Sequence, residues 1–340
     1  MTINIQPDFS LKPFNTFGFD QQAEFFCTVS NDTELQAAVR HGQEHKLAIT
    51  VLGGGSNVVL ANDIKGLVIH PGYTHIRCLP TDTCDATLIV AGAGIVWDEL
   101  VAMTLDKGLR GLENLTLIPG TVGAAPVQNI GAYGVEADQR IVSVRALHLP
   151  TLQWQNFSAA QCQFSYRNSY FKQHPNQYVI SEVHFKLGDC HALNYQYDSL
   201  QKHLQRHGMV EPDARQISQA VASIRSSRLP DPAIMGNAGS FFHNPVIDNN
   251  KAQALQLRFP DVPVYPNSTS HSKLSAAWLI DKAGFKGMQV GNVGVYDKQA
   301  LVLVNHGNGT AEQLLTLARQ IQAEIKRRYD IDLQIEPTVI

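Results

Sequence analysis

PGTVGAAPVQNIGAYG, residues 119–134, carries four glycines and three alanines, too many for a regular helix or strand. The stretch is a shaped loop. Gly120, Gly123, Gly131 and Gly134 strip side chains from a path along which a flat ring can lie against backbone. Each such glycine costs roughly 0.5–1 kcal/mol relative to alanine in a regular element, and a purely structural loop rarely accepts so many. Gln128, Asn129 and Tyr133 set polar groups between the glycines, which suits a heteroaromatic ligand with hydrogen-bonding edges.

On the N-terminal side of this loop the pattern is strand, helix, strand: AEFFCTVS (23–30), a helix opened by Asn31 with Glu34 following, and KLAITVL (46–52), which ends on GGGSN. LVIHP (67–71) and TLIVAGAG (87–94) read as further strands. Trp97, Leu100, Val101 and Leu105 recur at helical spacing and predict a helix over 97–108, stopped by Gly108. On the C-terminal side, alternation at 141–150, 151–158 and 178–187 predicts an antiparallel region with hairpins. A helix through QISQAVASIRSS breaks at RLPDP, whose prolines cannot continue it, and a domain boundary falls nearby. Beyond it, NKAQALQLRF and KLSAAWLIDKAG read as helices and ALVLVN (300–305) as a buried strand. Thr310 with Gln313 caps the helix AEQLLTLARQIQAEIKRRY, which leads into a last strand, IDLQIEP. The fold class is α+β with several short sheets.

The chain of 340 residues, 44% apolar, can bury two or three cores. Its net charge of -3, from 27 basic against 30 acidic residues, offers no field for a nucleic-acid backbone or an anionic membrane, and neither partner is expected. Cys27, Cys78, Cys84, Cys162 and Cys190 are scattered, odd in number and without a CxxC pair, which argues for a reducing compartment over a disulfide framework or zinc knuckle. No apolar run reaches the roughly 18 residues of a membrane span, and the start has no signal-peptide pattern. These features predict a soluble, cytoplasmic monomer without a metal.

Several stretches can carry chemistry. GGGSN (53–57) follows a strand and lacks both the Walker A lysine and the dinucleotide-binding glycine spacing, so it is either a set of turn formers or an anion nest. FSYRNS (164–169) sets Tyr166 beside Arg167, whose planar fork pairs with carboxylates, or simply lies on the surface. GNAGSFFHNP (236–245) describes a tight turn entering a buried strand and is not the G-x-S-x-G elbow, leaving Ser240 as nucleophile, proton donor or turn-closing hydroxyl. His243 has no second ligand at metal-binding spacing and reads as a strand histidine. Glu336 alone reads as solvated.

NTFG (15–18), GGGSN, GLE (111–113), the 119–134 loop, SYRNS (165–169), LPDP (229–232), GNAGSFFHNP, WLID (278–281), KGM (286–288) and IEP (335–337) occur in the order found in bacterial UDP-N-acetylenolpyruvoylglucosamine reductases. With NYQYDSL (194–200), the chain resembles the first type of that family. The resemblance implies an FAD-binding two-subdomain fold of the vanillyl-alcohol-oxidase-like type plus a C-terminal α/β substrate-binding domain. The expected bounds are 1–66 for the first FAD-binding subdomain, 67–222 for the second with 330–340 returning to it, and 223–329 for the UDP-sugar domain.

The resemblance further implies non-covalent FAD, with NADPH as co-substrate, held by Asn15, Thr16, Gly53, Gly54, Gly55, Ser56 and Asn57, and by Pro119, Gly120, Thr121, Gly123, Ala124, Gln128, Asn129, Gly131, Ala132 and Tyr133 of the long loop. Arg167, Ser240 and Glu336 match the catalytic positions; Tyr166, Tyr197, Arg225, Arg228, Asn244, Lys286 and Gln299 match positions around the substrate. Arg228 stands where some relatives have lysine. The implied reaction turns the enolpyruvyl ether of a UDP-sugar into a lactyl ether, giving UDP-N-acetylmuramate for peptidoglycan. Arg167 and Glu336 would steady the developing charge, at roughly 2.7–4 kcal/mol per donor. Ser240 would donate the proton, assisted by Lys286, Asn244 or backbone N–H groups near Gly239. A flavin oxidase of the same fold, acting on an alcohol or sugar, and a nucleotide-binding module without turnover are the competing readings.

Overall fold

The computed structural model describes residues 3–82 and 85–340, so Cys84 lies outside the described residues. Two compact units divide the chain. The first comprises Met1–Ser10, Gln22–Gly55 and Ile64–Ser227; the second comprises Leu11–Gln21, Ser56–Asp63 and Arg228–Ile340.

The first unit holds two sheets. In the four-stranded sheet, Gln22–Val29 lies between Gln6–Ser10, antiparallel to it, and Ile64–Pro71, parallel to it, with Ile49–Val51 on the far edge. The helix Asp32–Glu44 covers this sheet with Leu35, Ala38 and Val39, and Asn31 caps it by accepting from the Glu34 N–H. The five-stranded antiparallel sheet runs Gln153–Ser158, Ile141–His148, Tyr178–Leu187, Thr87–Gly92, Ile76–Pro80. Trp97, Leu100 and Val101 of the helix Trp97–Asp106 join Phe185 and Val144 in its core, as their spacing requires, and Gly108 takes a left-handed φ of 72° just past the helix end.

The second unit is built on a four-stranded antiparallel sheet in the order Gly236–Ser240, Val302–Asn305, Val293–Val295, Gln289–Val290. Leu314, Leu317, Ala318, Ile321 and Ile325 line the buried face of the helix Ala311–Tyr329, whose first turn carries the full capping box of Thr310 and Gln313.

This division departs from the expected bounds. Residues 330–340 belong to the second unit, as do 11–21 and 56–63, because Phe17, Phe19, Val59, Ile331 and Leu333 are buried in one core with the Ala311–Tyr329 helix. The expected boundary after residue 66 would also cut the strand Ile64–Pro71. The last strand does not form over 331–337: Ile335 makes a single antiparallel bridge to Phe242, then the chain passes Pro337 and pairs Thr338–Val339 in parallel with Val58–Val59. Proline cannot donate to a ladder, and the change of partner occurs there.

Candidate active site

In the first unit the glycine stretches lie against each other. A Cβ on Gly54 would sit 3.1 Å from the Gly120 Cα, and one on Gly53 would meet the Thr121 hydroxyl at 3.0 Å. The loop is pinned to the segment that follows the strand Thr87–Gly92 by Val122 N–H donating to Ile95 O and Gly123 N–H donating to Ala93 O. Gly123 leaves no room for a side chain, since a Cβ would fall 2.6 Å from that of Ala93. Packing against protein backbone therefore accounts for part of the glycine content attributed to a flat ring.

Asn129 is the anchor of the loop's second half. It is fully buried; its Oδ1 accepts from Asp138 N–H at 3.0 Å and its Nδ2 donates to Glu136 and to Ser165 O. The side chain expected to hold the cofactor is thus engaged within the protein. Arg167 occupies the second central position of a two-residue turn closed by reciprocal hydrogen bonds between Ser165 and Asn168, with a φ of 53°. A non-glycine residue in the left-handed region costs about 1–2 kcal/mol. Its guanidinium donates to Gly131 O at 2.7 Å and to Asn129 O at 3.4 Å, and it lies near the ring of the exposed Tyr166. The loop thereby aims the arginine.

Tyr133, also left-handed, meets Tyr197 edge-on with ring centroids 5.5 Å apart. Asn114 Nδ2 fixes this corner by donating to Tyr133 O and Asn194 O. Arg225, on the helix Ala214–Arg228, has its Nε buried with no hydrogen-bond partner among the described residues. Burial pushes the guanidinium's pKa down, against opposing attraction from Tyr133 and Asp98. A buried donor of this kind costs free energy until it is hydrogen-bonded.

In the second unit Ser240 ends the strand Gly236–Ser240, and a bulge between Asn237 and Ser240 shifts the register against Val302–Asn305. Asn237 makes that bulge. Its Oδ1 accepts from Gly239 N–H at 2.9 Å while its Nδ2 donates to Pro230 O and Met235 O. Gly239 follows with a φ of 67°, so the bulge turns the half-buried Ser240 off the regular alternation. The Gly239 N–H, one of the expected helpers of Ser240, is consumed by Asn237. Glu336 stands on the neighbouring segment, its N–H donating to Phe241 O, and its Oε2 lies 3.5 Å from Nδ1 of His243.

The remaining expected residues are spread over this unit. Asn15 binds its own loop, Nδ2 donating to Leu11 O and Phe19 O, while Thr16 O accepts from Asn237 N–H. Asn244 Oδ1 accepts from Ala276 N–H, Lys286 lies 3.6 Å from Asp281, and Gln299 accepts from Leu301 N–H. Ser56 and Asn57 are assigned to this unit, the division falling just after Gly55. Arg228 closes the helix on its exposed side. Asn237 and His243 were not among the expected site residues; an asparagine two residues before a glycine was the only signal for the former.

Residues 231–340 match the family described as UDP-N-acetylenolpyruvoylglucosamine reductase, C-terminal domain, and residues 23–151 match an FAD binding domain. UDP-N-acetylenolpyruvoylglucosamine reductases of Pseudomonas aeruginosa and Pseudomonas fluorescens are 43% and 44% identical to the chain over 339 residues, aligned across 100% of each. The chain belongs to the UDP-N-acetylenolpyruvoylglucosamine reductase family. The reductase of Chromobacterium violaceum is likewise 43% identical over 342 residues. The solved reductase of Thermus caldophilus superposes with a TM-score of 0.68 at 24% identity, covering 100% of this chain and 99% of that one. A VAO-type flavoprotein of Myceliophthora thermophila matches with a TM-score of 0.51 at 12% identity, covering 94% of this chain and 73% of that one. Both share the fold expected from the sequence. Within the reductase family's two matched domains, the glycine stretches fall in the FAD-binding part and Ser240, Asn244, Lys286, Gln299 and Glu336 in the C-terminal part; Arg167 lies between them.

Proposed function

We propose that this chain reduces UDP-N-acetylenolpyruvoylglucosamine to UDP-N-acetylmuramate, using non-covalently held FAD and NADPH, as a cytoplasmic monomer. The observation that carries the reading is the 43% identity to reductases of that name across 100% of both chains. The four described cysteines Cys27, Cys78, Cys162 and Cys190 are all free thiols, in keeping with a reducing compartment. Among the described residues no helix is long and apolar enough to cross a membrane.

The residues present fit FAD in kind: the glycine-rich segments 53–55 and 119–124 meet at Gly54 and Gly120 beside the Thr121 hydroxyl, and these segments would hold the cofactor. When bound and reduced by NADPH, the flavin would supply a hydride to the methylene carbon of the enolpyruvyl double bond. Negative charge then develops at the neighbouring carbon and in its carboxylate. Arg167, pre-aimed by the carbonyls of Gly131 and Asn129, is the residue to pair with that carboxylate. Glu336, protonated, hydrogen-bonds to the same charge. Ser240 transfers its hydroxyl proton to the carbon, and solvent restores it, so the double bond gains one hydride and one proton. Arg225, with its buried Nε, serves the diphosphate, and Tyr197 beside Tyr133 the nucleotide end.

The test separates the two half-reactions anaerobically. In Ser240→Ala the sugar should reoxidise the flavin at least about 10²–10⁴-fold more slowly, while NADPH bleaches it at the wild-type rate. Equal loss in both halves would take the proton-donor role from Ser240; fast reoxidation by air with no response to the sugar would overturn the reading in favour of an oxidase.

A further inference from the structure

His243 belongs to the GNAGSFFHNP stretch, yet the reaction above gives it no role. The backbone explains where it stands. Phe242 and Ile335 form a non-hydrogen-bonded antiparallel bridge, flanked by His243 N–H donating to Gln334 O and Glu336 N–H donating to Phe241 O, both at 2.9 Å. In such a pair the side chains of 243 and 336 share a face and are diagonal neighbours, a separation that long side chains span. They do so here, with Nδ1 3.5 Å from Oε2 and side-chain exposures of only 18% and 12%.

We propose that His243 is a positioning residue for Glu336: its ring, held on the adjacent strand with Nδ1 3.5 Å from Oε2, fixes the orientation in which the carboxyl meets the substrate. The inference rests on Glu336 acting as the protonated donor of the reaction above. A carboxyl with two equivalent oxygens and several rotamers would present its proton only part of the time; tying one oxygen to a ring fixed on the adjacent strand removes that freedom. At 3.5 Å the pair is in contact but longer than a formed hydrogen bond, and catalytic contacts of this length tighten when substrate closes the site. A neutral ring suits the task, because an imidazolium would favour ionised Glu336 and strip it of its proton.

The experiment measures anaerobic reoxidation of the reduced holoenzyme by the enolpyruvyl sugar in single turnover, with NADPH reduction as the control. His243→Ala should slow reoxidation about tenfold, the order of a coupling energy between contacting groups, and leave NADPH reduction unchanged. His243→Asn, whose amide nitrogen overlays Nδ1, should restore most of the rate; His243→Gln, whose nitrogen overlays Nε2, should not. On a Glu336→Gln background, His243→Ala should cost nothing more. Wild-type reoxidation in His243→Ala, parallel loss of both half-reactions, or additive loss in the double variant overturns the proposal. If His243→Ala does not fold, the contrast between Asn and Gln decides alone, equal rates overturning it. Normal reoxidation in Glu336→Gln would instead remove the catalytic reading itself, whatever His243 does.

Discussion

Arg167, Asn129 and Tyr133 are all non-glycine residues with φ near +50°, and hydrogen bonds link the first to the carbonyls of the second and of Gly131. Left-handed backbone of this kind persists only where surrounding contacts over-determine it, and it gathers at functional sites. The same logic governs Asn237, a 3%-exposed amide satisfied three ways by Pro230, Met235 and Gly239. Asn237→Ala would leave a buried N–H and two carbonyls without partners and relax the bulge that turns Ser240. It should lower stability by about 2 kcal/mol, read as a shift in denaturant midpoint. It should also slow sugar reduction more than NADPH reduction, seen in the two half-reactions. Residue types and order in the sequence were enough to nominate Ser240, Arg167 and Glu336. They were not enough for Asn15 or Asn129, because one amide can serve a ligand or its own loop, and only the closed loop reveals that both are occupied at home.

Helices and strands with strong periodicity were legible because a single buried face determines them. The helix Ala311–Tyr329 begins at the capping box read from Thr310 and Gln313, and the strand Tyr178–Leu187 has the bounds its alternation requires. IDLQIEP failed as a strand for a reason its alternation cannot express: its two possible partners, 241–243 and 57–59, lie far apart in sequence, and Pro337 marks the switch. The end of the long helix also carries a pH dependence. Arg327 and Arg328 hydrogen-bond Glu324 and hold its pKa down to about 2, and Lys251 and Lys326 do the same for Asp330. In the unfolded chain these carboxyls titrate near 4, so their contribution is complete above that pH and is lost as pH falls toward about 2. The melting temperature should therefore decline over that window, and Glu324→Gln should flatten part of the decline. Because the groups are exposed, the effect should shrink in high salt.

For the molecule as a whole, the sequence order conceals the division into units. Leu11–Gln21 and Ser56–Asp63 are short excursions that join the C-terminal core through Phe17, Phe19 and Val59, contacts no local pattern encodes. The C-terminal segment joins the same core, which leaves Arg167 in one unit and Ser240 with Glu336 in the other. The stability of such a chain carries the cost of its binding groups. Arg225, proposed above to serve the diphosphate, keeps a buried Nε without a hydrogen-bond partner among the described residues, and burial holds its pKa down, so in the free protein it opposes folding. An anion that meets it returns that energy only to the bound state. Arg225→Met, which keeps the apolar stem and drops the charge, should raise the melting temperature of the free protein by roughly 2 °C, equivalent to about 1 kcal/mol. Binding should move the opposite way. Titration with UDP should raise the wild-type melting temperature by linkage and the variant's much less, and the KM for the sugar nucleotide should rise about tenfold or more with NADPH reduction of the flavin intact. A variant that melts lower while still responding fully to UDP would mean that Arg225 is a structural cation, and the anion seat would have to be sought elsewhere on the Ala214–Arg228 helix.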